Sequence, residues 1–223
     1  MLKLDRIGKR YAGLQALSDI SLALEPGGFY FLTGASGAGK TTLLDIISLA
    51  ELPSSGRMSL FETDIASLGR PARTALRRRI GVVFQDLRLI DDANVRDNIA
   101  LPLRLTAATE RQVRDNVAEL MDWFGLTMRG NAPVGTLSIS ERQRVAIARA
   151  IVTQPELLIA DEPSGYVDHE VARLLVRVFK RINELGTTVL IATHDIAFAN
   201  LFEHQRYHLE QGMLADADIV PPQ

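Results

Sequence analysis

Residues 34–42, GASGAGKTT, place glycines, a lysine and two threonines in the order G-x-x-x-x-G-K-T. Glycines let successive backbone N–H groups curve around an oxyanion, the lysine adds a point charge, and a hydroxyl offers oxygen to a hard cation. An apolar run, FYFLT, leads into the loop and TTLLDIISLA leads out. A strand therefore enters and a helix leaves, and the helix start adds a partial positive charge. Gly34, Ala35, Ser36, Gly37, Ala38, Gly39, Lys40, Thr41 and Thr42 are assigned to nucleotide phosphates. Lys40 is expected to reach the β- and γ-phosphates, and Thr41 to coordinate Mg²⁺. A plain glycine turn lacks the strand and helix that flank this one.

Such a site also needs a carboxylate for the metal and a group to polarise water. Asp161 and Glu162 directly follow the apolar LLIA. Asp161 suits Mg²⁺, held through water, and Glu162 is free to act on an attacking water. His194 ends the run TTVLIAT and could contact the γ-phosphate. Gln85 ends IGVVFQ and could touch the metal or the water. A lone Gln or His is ordinarily a surface or satisfied core residue. Here both close strands of the sheet that carries the phosphate loop, and ligands sit beyond the carboxyl ends of such strands.

A second helix start stands apart, in TLSISERQRVAIARA (136–150). Ser138 and Glu141 have capping-box spacing, and Val145, Ala148 and Val152 recur at helical intervals.

The elements that position these groups follow from pattern. The first 30 residues alternate apolar and polar with turn signals and read as short antiparallel strands. FYFLT (29–33), IGVVFQD (80–86), ELLIADE (156–162) and TTVLIATHD (187–195) read as buried parallel strands. Thr109–Gly125 is an amphipathic helix with a Thr-x-x-Gln cap, apolar positions at Val113, Val117, Leu120, Met121 and Phe124, and a glycine stop. VARLLVRVFKRINELG is another. The expected class is α/β: a P-loop parallel sheet flanked by helices, an N-terminal antiparallel β part, and a helical insertion near 90–135. All of it forms one domain, 1–223.

Bulk numbers exclude several classes. Net charge is −2, so no global basic field points to nucleic acid. The absence of cysteine removes disulfides, thiolate metal sites and cysteine nucleophiles, and fits a reducing compartment. No signal-like N-terminus and no apolar run of about 18 residues appears, so membrane work is expected to borrow its span from another chain. No N-K-x-D motif marks a guanine site.

The ordering of P-loop, strand-end Gln, LS-x-x-E-x-Q-R-V, apolar-DE and apolar-TH resembles the ATP-binding cassette (ABC) ATPases over essentially the whole chain. GASGAGKTT looks like Walker A, LLIADE like Walker B, Gln85 like the Q-loop glutamine, and His194 like the switch histidine. SGYVD (164–168) looks like the D-loop. The resemblance implies that Tyr11 stacks on adenine. It also implies a homodimer around two ATP molecules, in which Ser138, Ser140, Glu141 and Asp168 lie near the shared nucleotides. RRRIGVVFQDLRLIDDANVRDNIALPL (77–103) is similar to members that serve cell division with a polytopic membrane partner and control peptidoglycan hydrolases. Lipoprotein-release and macrolide-export members share much of it. The implied place is cytoplasmic, peripheral on the inner face of the plasma membrane. Two positions depart from the family. Ile139 and Ser140 replace the paired glycines of its LSGGQ or LSGGE signature, and Tyr166 replaces a small polar residue. Weak closure and low turnover, or an ATP-gated clamp, are the expected consequences.

Other features have plainer readings. Arg77, Arg78 and Arg79 are read as a solvated face, with anionic lipid as the minority alternative. His204 and His208 share a strand face without metal-ligand company. Trp123 and Phe124 are read as packing residues.

Overall fold

A computed structural model describes residues 1–165, 169–202 and 204–215. The chain opens with two antiparallel strands, β1 (Leu2–Tyr11) and β2 (Leu14–Leu24). At 10 and 11 residues they are longer than the short strands expected. β3 (Phe29–Thr33) then runs through the glycine loop into α1 (Lys40–Ile47). β4 (Ser55–Leu60) and β5 (Thr63–Asp64) complete the antiparallel sheet in the order β2-β1-β4-β5. Next come α2 (Arg70–Arg77) and β6 (Ile80–Val83).

Helices occupy the middle of the chain. α3 (Val95–Arg104) is capped by Asn94, whose side chain accepts the Asp97 N–H. α4 (Glu110–Trp123) has the expected capping box between Thr109 and Gln112. α5 (Ile139–Ile151) has one between Ser138 and Glu141. β7 (Leu157–Asp161), α6 (His169–Glu184), β8 (Thr188–Thr193), α7 (Ile196–Ala199), β9 (Gln205–Glu210) and β10 (Met213–Ala215) follow.

The second sheet has the order β10-β9-β3-β8-β7-β6. Its strands from β9 to β6 are parallel, and β10 is antiparallel to β9. Every residue of β7 and β8 is buried, as a sheet covered on both faces requires. Alternate side chains feed two cores. Phe31, Leu158, Ala160, Val189 and Ile191 pack with the helical middle of the chain and α6. Leu32, Ile159, Leu190 and Ala192 pack with α1 and the antiparallel sheet. The register pairs Thr33 with Thr193, Asp161 with Ala192, and Val83 with Ala160. The ends of four strands therefore lie side by side, and the residues after each end reach a common edge.

Three expectations change. β6 stops at Val83, so Gln85 lies beyond the strand rather than on it. There the chain turns through positive φ at Leu87 and Arg88, whose carbonyls accept N–H groups of Arg149. Trp123 is 41% exposed, because the buried stripe of α4 is Val113, Val117 and Met121 and Trp123 points away from it. Phe124 is buried. His204 precedes β9, and its ring packs against Phe31 with centroids 4.1 Å apart. Burial and the charge of Arg206 push its pKa down to about 4. His208 Nδ1 lies 3.0 Å from Thr33 Oγ1.

Candidate nucleotide site

The glycine loop owes its shape to positions that only glycine tolerates. Gly34 has φ +152, and a Cβ there would lie 2.3 Å from the Leu209 carbonyl oxygen. Gly39, the residue before α1, has φ +105 and packs closely on Leu17 and the Ala16 carbonyl. It supplies no side-chain cap, and the first turn of α1 holds no acidic residue. The N–H groups of that turn and the helix dipole are left for an anion.

Lys40 is 6% exposed, and its ammonium donates to the carbonyls of Gly34 at 2.8 Å and Ala35 at 3.1 Å. It also lies 3.3 Å from Glu162 Oε1. The Thr41 hydroxyl donates to Asp161 Oδ2 at 2.7 Å. The other oxygen, Oδ1, is buried without a hydrogen-bond partner among the described residues. A buried carboxylate oxygen left open beside a threonine hydroxyl is the donor set a hard cation such as Mg²⁺ takes, with water filling its remaining positions. Burial raises the Asp161 pKa, the Thr41 hydrogen bond works against that, and the Glu162 charge adds to it. A cation would favour the ionised form.

Glu162 sits at φ +49, an uncommon backbone conformation for a non-glycine residue. Its N–H donates to the Ala192 carbonyl, which ties the end of β7 to β8. The carboxylate accepts the Thr193 hydroxyl at 3.1 Å and the His194 N–H at 3.0 and 3.2 Å. His194 Nδ1 is 2.9 Å from Oε2. Thr193 is fully buried, and its hydroxyl accepts the Asp195 N–H at 2.9 Å, so its own proton is directed to Glu162.

Ser36, Gly37, Lys40, Thr41, Gln85 and His194 line one cleft of about 440 Å³, together with Thr42, Asp161 and Glu162. The structure thus gathers most of the residues expected to handle phosphate, metal and water. Ala35 contributes its carbonyl to Lys40, and Ala38 is buried beneath the loop. Tyr11 is not in this cleft. It is 42% exposed at the end of β1, with the Lys9 ammonium 4.8 Å from its ring centroid. Ser138, Ser140 and Glu141 do not line the cleft either. Ser138 and Glu141 satisfy each other: the Ser138 N–H and hydroxyl both donate to Glu141 Oε2 at 2.9 Å, and the hydroxyl accepts the Glu141 N–H. These bonds and the Arg129 guanidinium hold the Glu141 pKa below its ordinary value. Ile139 is 53% exposed beside them. Asp168 and Tyr166 lie outside the described residues.

Sequence reasoning missed three supporting side chains. Thr193 went unremarked beside His194. Gln143 is buried, and its Nε2 donates to the Pro163 carbonyl, joining α5 to the segment after Glu162. Its signal was a glutamine in line with Ile147 and Ala150 on a buried stripe. Asn98 is fully buried and holds both the N–H and the carbonyl of Ile90.

Comparison with known proteins agrees with this geometry. The ABC transporter family model matches residues 17–165. The chain is 41% identical to the cell division ATP-binding protein FtsE of Escherichia coli K12, covering 94% of this chain and 93% of that one. It is 38% identical to FtsE of Mycobacterium tuberculosis, covering 96% and 94%. A methionine import ATP-binding protein, MetN 1 of Yersinia pestis, is 36% identical over 99% of this chain and 66% of its own length. Among solved structures, a dimeric ATP-binding cassette in a post-hydrolysis state with ADP and phosphate superposes with a TM-score of 0.92. It is 31% identical and covers 98% of each chain. The chain belongs to the ABC transporter family and is one of its ATP-binding, ATP-hydrolysing cassettes.

Proposed function

We propose that this chain is the ATPase subunit of a membrane-associated complex of the FtsE type. It works as a homodimer with a polytopic, FtsX-like partner in cell division and the control of peptidoglycan hydrolysis. The similarity to two FtsE proteins over nearly the full length supports the assignment within the family. Among the described residues no helix is long and apolar enough to cross a membrane, so in this reading the partner supplies the span. The chain then sits on the cytoplasmic face of the inner membrane, as a single cassette over residues 1–223 with its helical part near 90–135.

The observation that carries the mechanism is the meeting of Lys40, Asp161, Glu162 and His194 at one sheet edge. When ATP enters, Lys40 turns from the Gly34 and Ala35 carbonyls to the β- and γ-phosphates. The backbone N–H groups of residues 36–42 receive the phosphate oxygens, and Tyr11 receives the adenine. Thr41 and Asp161 would hold Mg²⁺, with Gln85 beside them. Bound there, the ion offsets charge on the phosphates. Glu162 accepts a proton from the attacking water as the water oxygen bonds to the γ-phosphorus and the bond to the β–γ bridging oxygen breaks. ADP and phosphate result. His194 leaves Glu162 to steady the γ-phosphate, while Thr193, which touches no phosphate, keeps Glu162 in place.

In the dimer, Ser138, Ser140, Glu141 and Asp168 face the partner subunit's nucleotide. Ile139 and Ser140 add Cβ atoms where the family has glycines, so this contact is loose and turnover is low until the membrane partner forces closure. Exposure of Ile139 at the helix start supports a second reading, an ATP-gated clamp that regulates its partner with little turnover. Lipoprotein-release or small-molecule transport is a further alternative, in line with the methionine import relative. Purification from detergent-solubilised membranes tests the proposal. It expects one polytopic protein to co-purify, and Glu162→Gln to bind ATP without turning it over. Recovery of a solute-transport permease instead would contradict the cell-division assignment.

A further inference from the structure

The arginine run at 77–79 does not behave as one solvated face. Arg79 is spoken for: it forms a two-pronged pair with Glu156 and lies over the Phe61 ring at 3.9 Å. The rest of the cluster is different. Between Asp64 and Asp86 the sequence has no acidic residue and five arginines, in a chain whose net charge is −2. α2 carries most of them. Leu76 packs toward the core and Arg73 is half-buried with it, while Arg70, Arg77 and Arg78 are exposed; Arg70, Arg73 and Arg77 recur at i, i+3 and i+7 along the helix. No residue of α2 is buried. No ion pair joins Arg70, Arg73, Arg77 or Arg78 to a carboxylate among the described residues. Like charges three and four apart on a helix repel, so the row costs stability unless an anion lies against it.

Its position is informative. Arg77 and Arg78 border a cavity of about 480 Å³ that also takes in Phe84, Arg88, Leu101 and Leu105. Phe84 and Arg88 continue into the neighbouring cavity that holds Gln85. The family resemblance implies that the membrane partner docks on the surface flanking Gln85. Arg77 and Arg78 stand at the rim of that recess, and Arg73 and Arg70 carry the row away from it along α2. A recess suits an inserted protein segment, whereas a row of guanidinium groups along a helix suits a broad, flat array of phosphates.

We propose that the Arg70–Arg73–Arg77 row of α2, with Arg78, binds the anionic phospholipid headgroups of the membrane surface beside the partner. The contact orients the cassette without inserting any of it. This inference rests on the membrane-complex reading for its biological setting, but its vesicle-binding test contains no partner.

Each basic residue near an anionic surface strengthens binding about fivefold, so removing three weakens it on the order of 10²-fold. The test is co-flotation of the purified chain with vesicles of phosphatidylcholine alone, or of phosphatidylcholine with about a third phosphatidylglycerol, across a salt series. The wild type is expected to float with the anionic vesicles only and to be released by salt. Arg70→Ser/Arg73→Ser/Arg77→Ser should lose about 10²-fold while its melting temperature does not fall and its ATP affinity stays unchanged. The charge-matched variant Arg111→Ser/Arg114→Ser/Arg181→Ser on α4 and α6 should float like the wild type. Equal binding to both vesicles, or equal loss in the two triple variants, overturns the proposal. If the wild type ignores vesicles while the α2 variant fails to co-purify with the membrane partner, the row reads an acidic protein segment. The lipid assignment is then wrong although the partner reading stands.

Discussion

The starts of α1 and α5 are both helix N-termini that the family resemblance assigns to ATP phosphate, and they are finished in opposite ways. α1 begins at a glycine with no side-chain cap and no acid in its first turn, so its donors stay open. α5 begins with a complete capping box, in which Glu141 and Ser138 consume each other's donors and acceptors. The first arrangement gives up local stability for anion affinity; the second keeps the stability. A helix start is therefore an anion site only where its own sequence leaves the donors unmet. For α5 to meet a partner subunit's γ-phosphate, the Ser138 hydroxyl must leave Glu141, and Ile139 must give way.

The largest expected effect tests the open side. Glu162→Gln should lower turnover by about 10²–10⁴ with ATP binding retained; turnover at the wild-type rate would remove Glu162 from its role. Lys40→Ala should weaken ATP binding by roughly 10–100-fold, the worth of a charge-assisted contact. Calorimetry giving unchanged affinity, with the fold intact by circular dichroism, would end the phosphate-loop assignment. Thr193→Val should lower kcat about tenfold with KM for ATP unchanged, and Thr193→Ser should restore it. A parallel fall in affinity would mean that Thr193 only supports the fold.

On the closed side the effect is smaller and pH-dependent. The cap holds the Glu141 pKa below its ordinary value of 4.5. Its stabilisation is therefore present above that value and is lost as pH falls through the lower, folded pKa. Glu141→Gln should flatten the acid side of a melting-temperature profile. An unchanged profile would show that the cap contributes nothing in solution.

Much of this contrast was legible in the sequence. G-x-x-x-x-G-K-T between a strand and a helix, the acids after LLIA, and Ser138 with Glu141 each announce themselves through local spacing. The amphipathic period of Val113, Val117 and Met121 placed α4 in the same way. What stayed hidden depends on long-range register. Thr193 reaches Glu162 only because β7 and β8 pair with Asp161 beside Ala192. Gln143 finds Pro163 across 20 residues. β6 ends at Val83, and beyond it Arg149, 61 and 62 residues away in sequence, holds the Arg88 and Leu87 carbonyls. The exposure of Trp123 is a question of phase within a helix whose existence was plain.

The most direct measurement compares the wild type with Ile139→Gly/Ser140→Gly for ATP affinity, ATP-dependent dimerisation and turnover in the same buffer. The account predicts similar affinities, because the α1 start is untouched, and a several-fold rise in dimerisation and turnover for the glycine variant. Ordinary ABC-type turnover by the wild type, with no gain in the variant, would contradict it and make the LSIS sequence a tolerated variation.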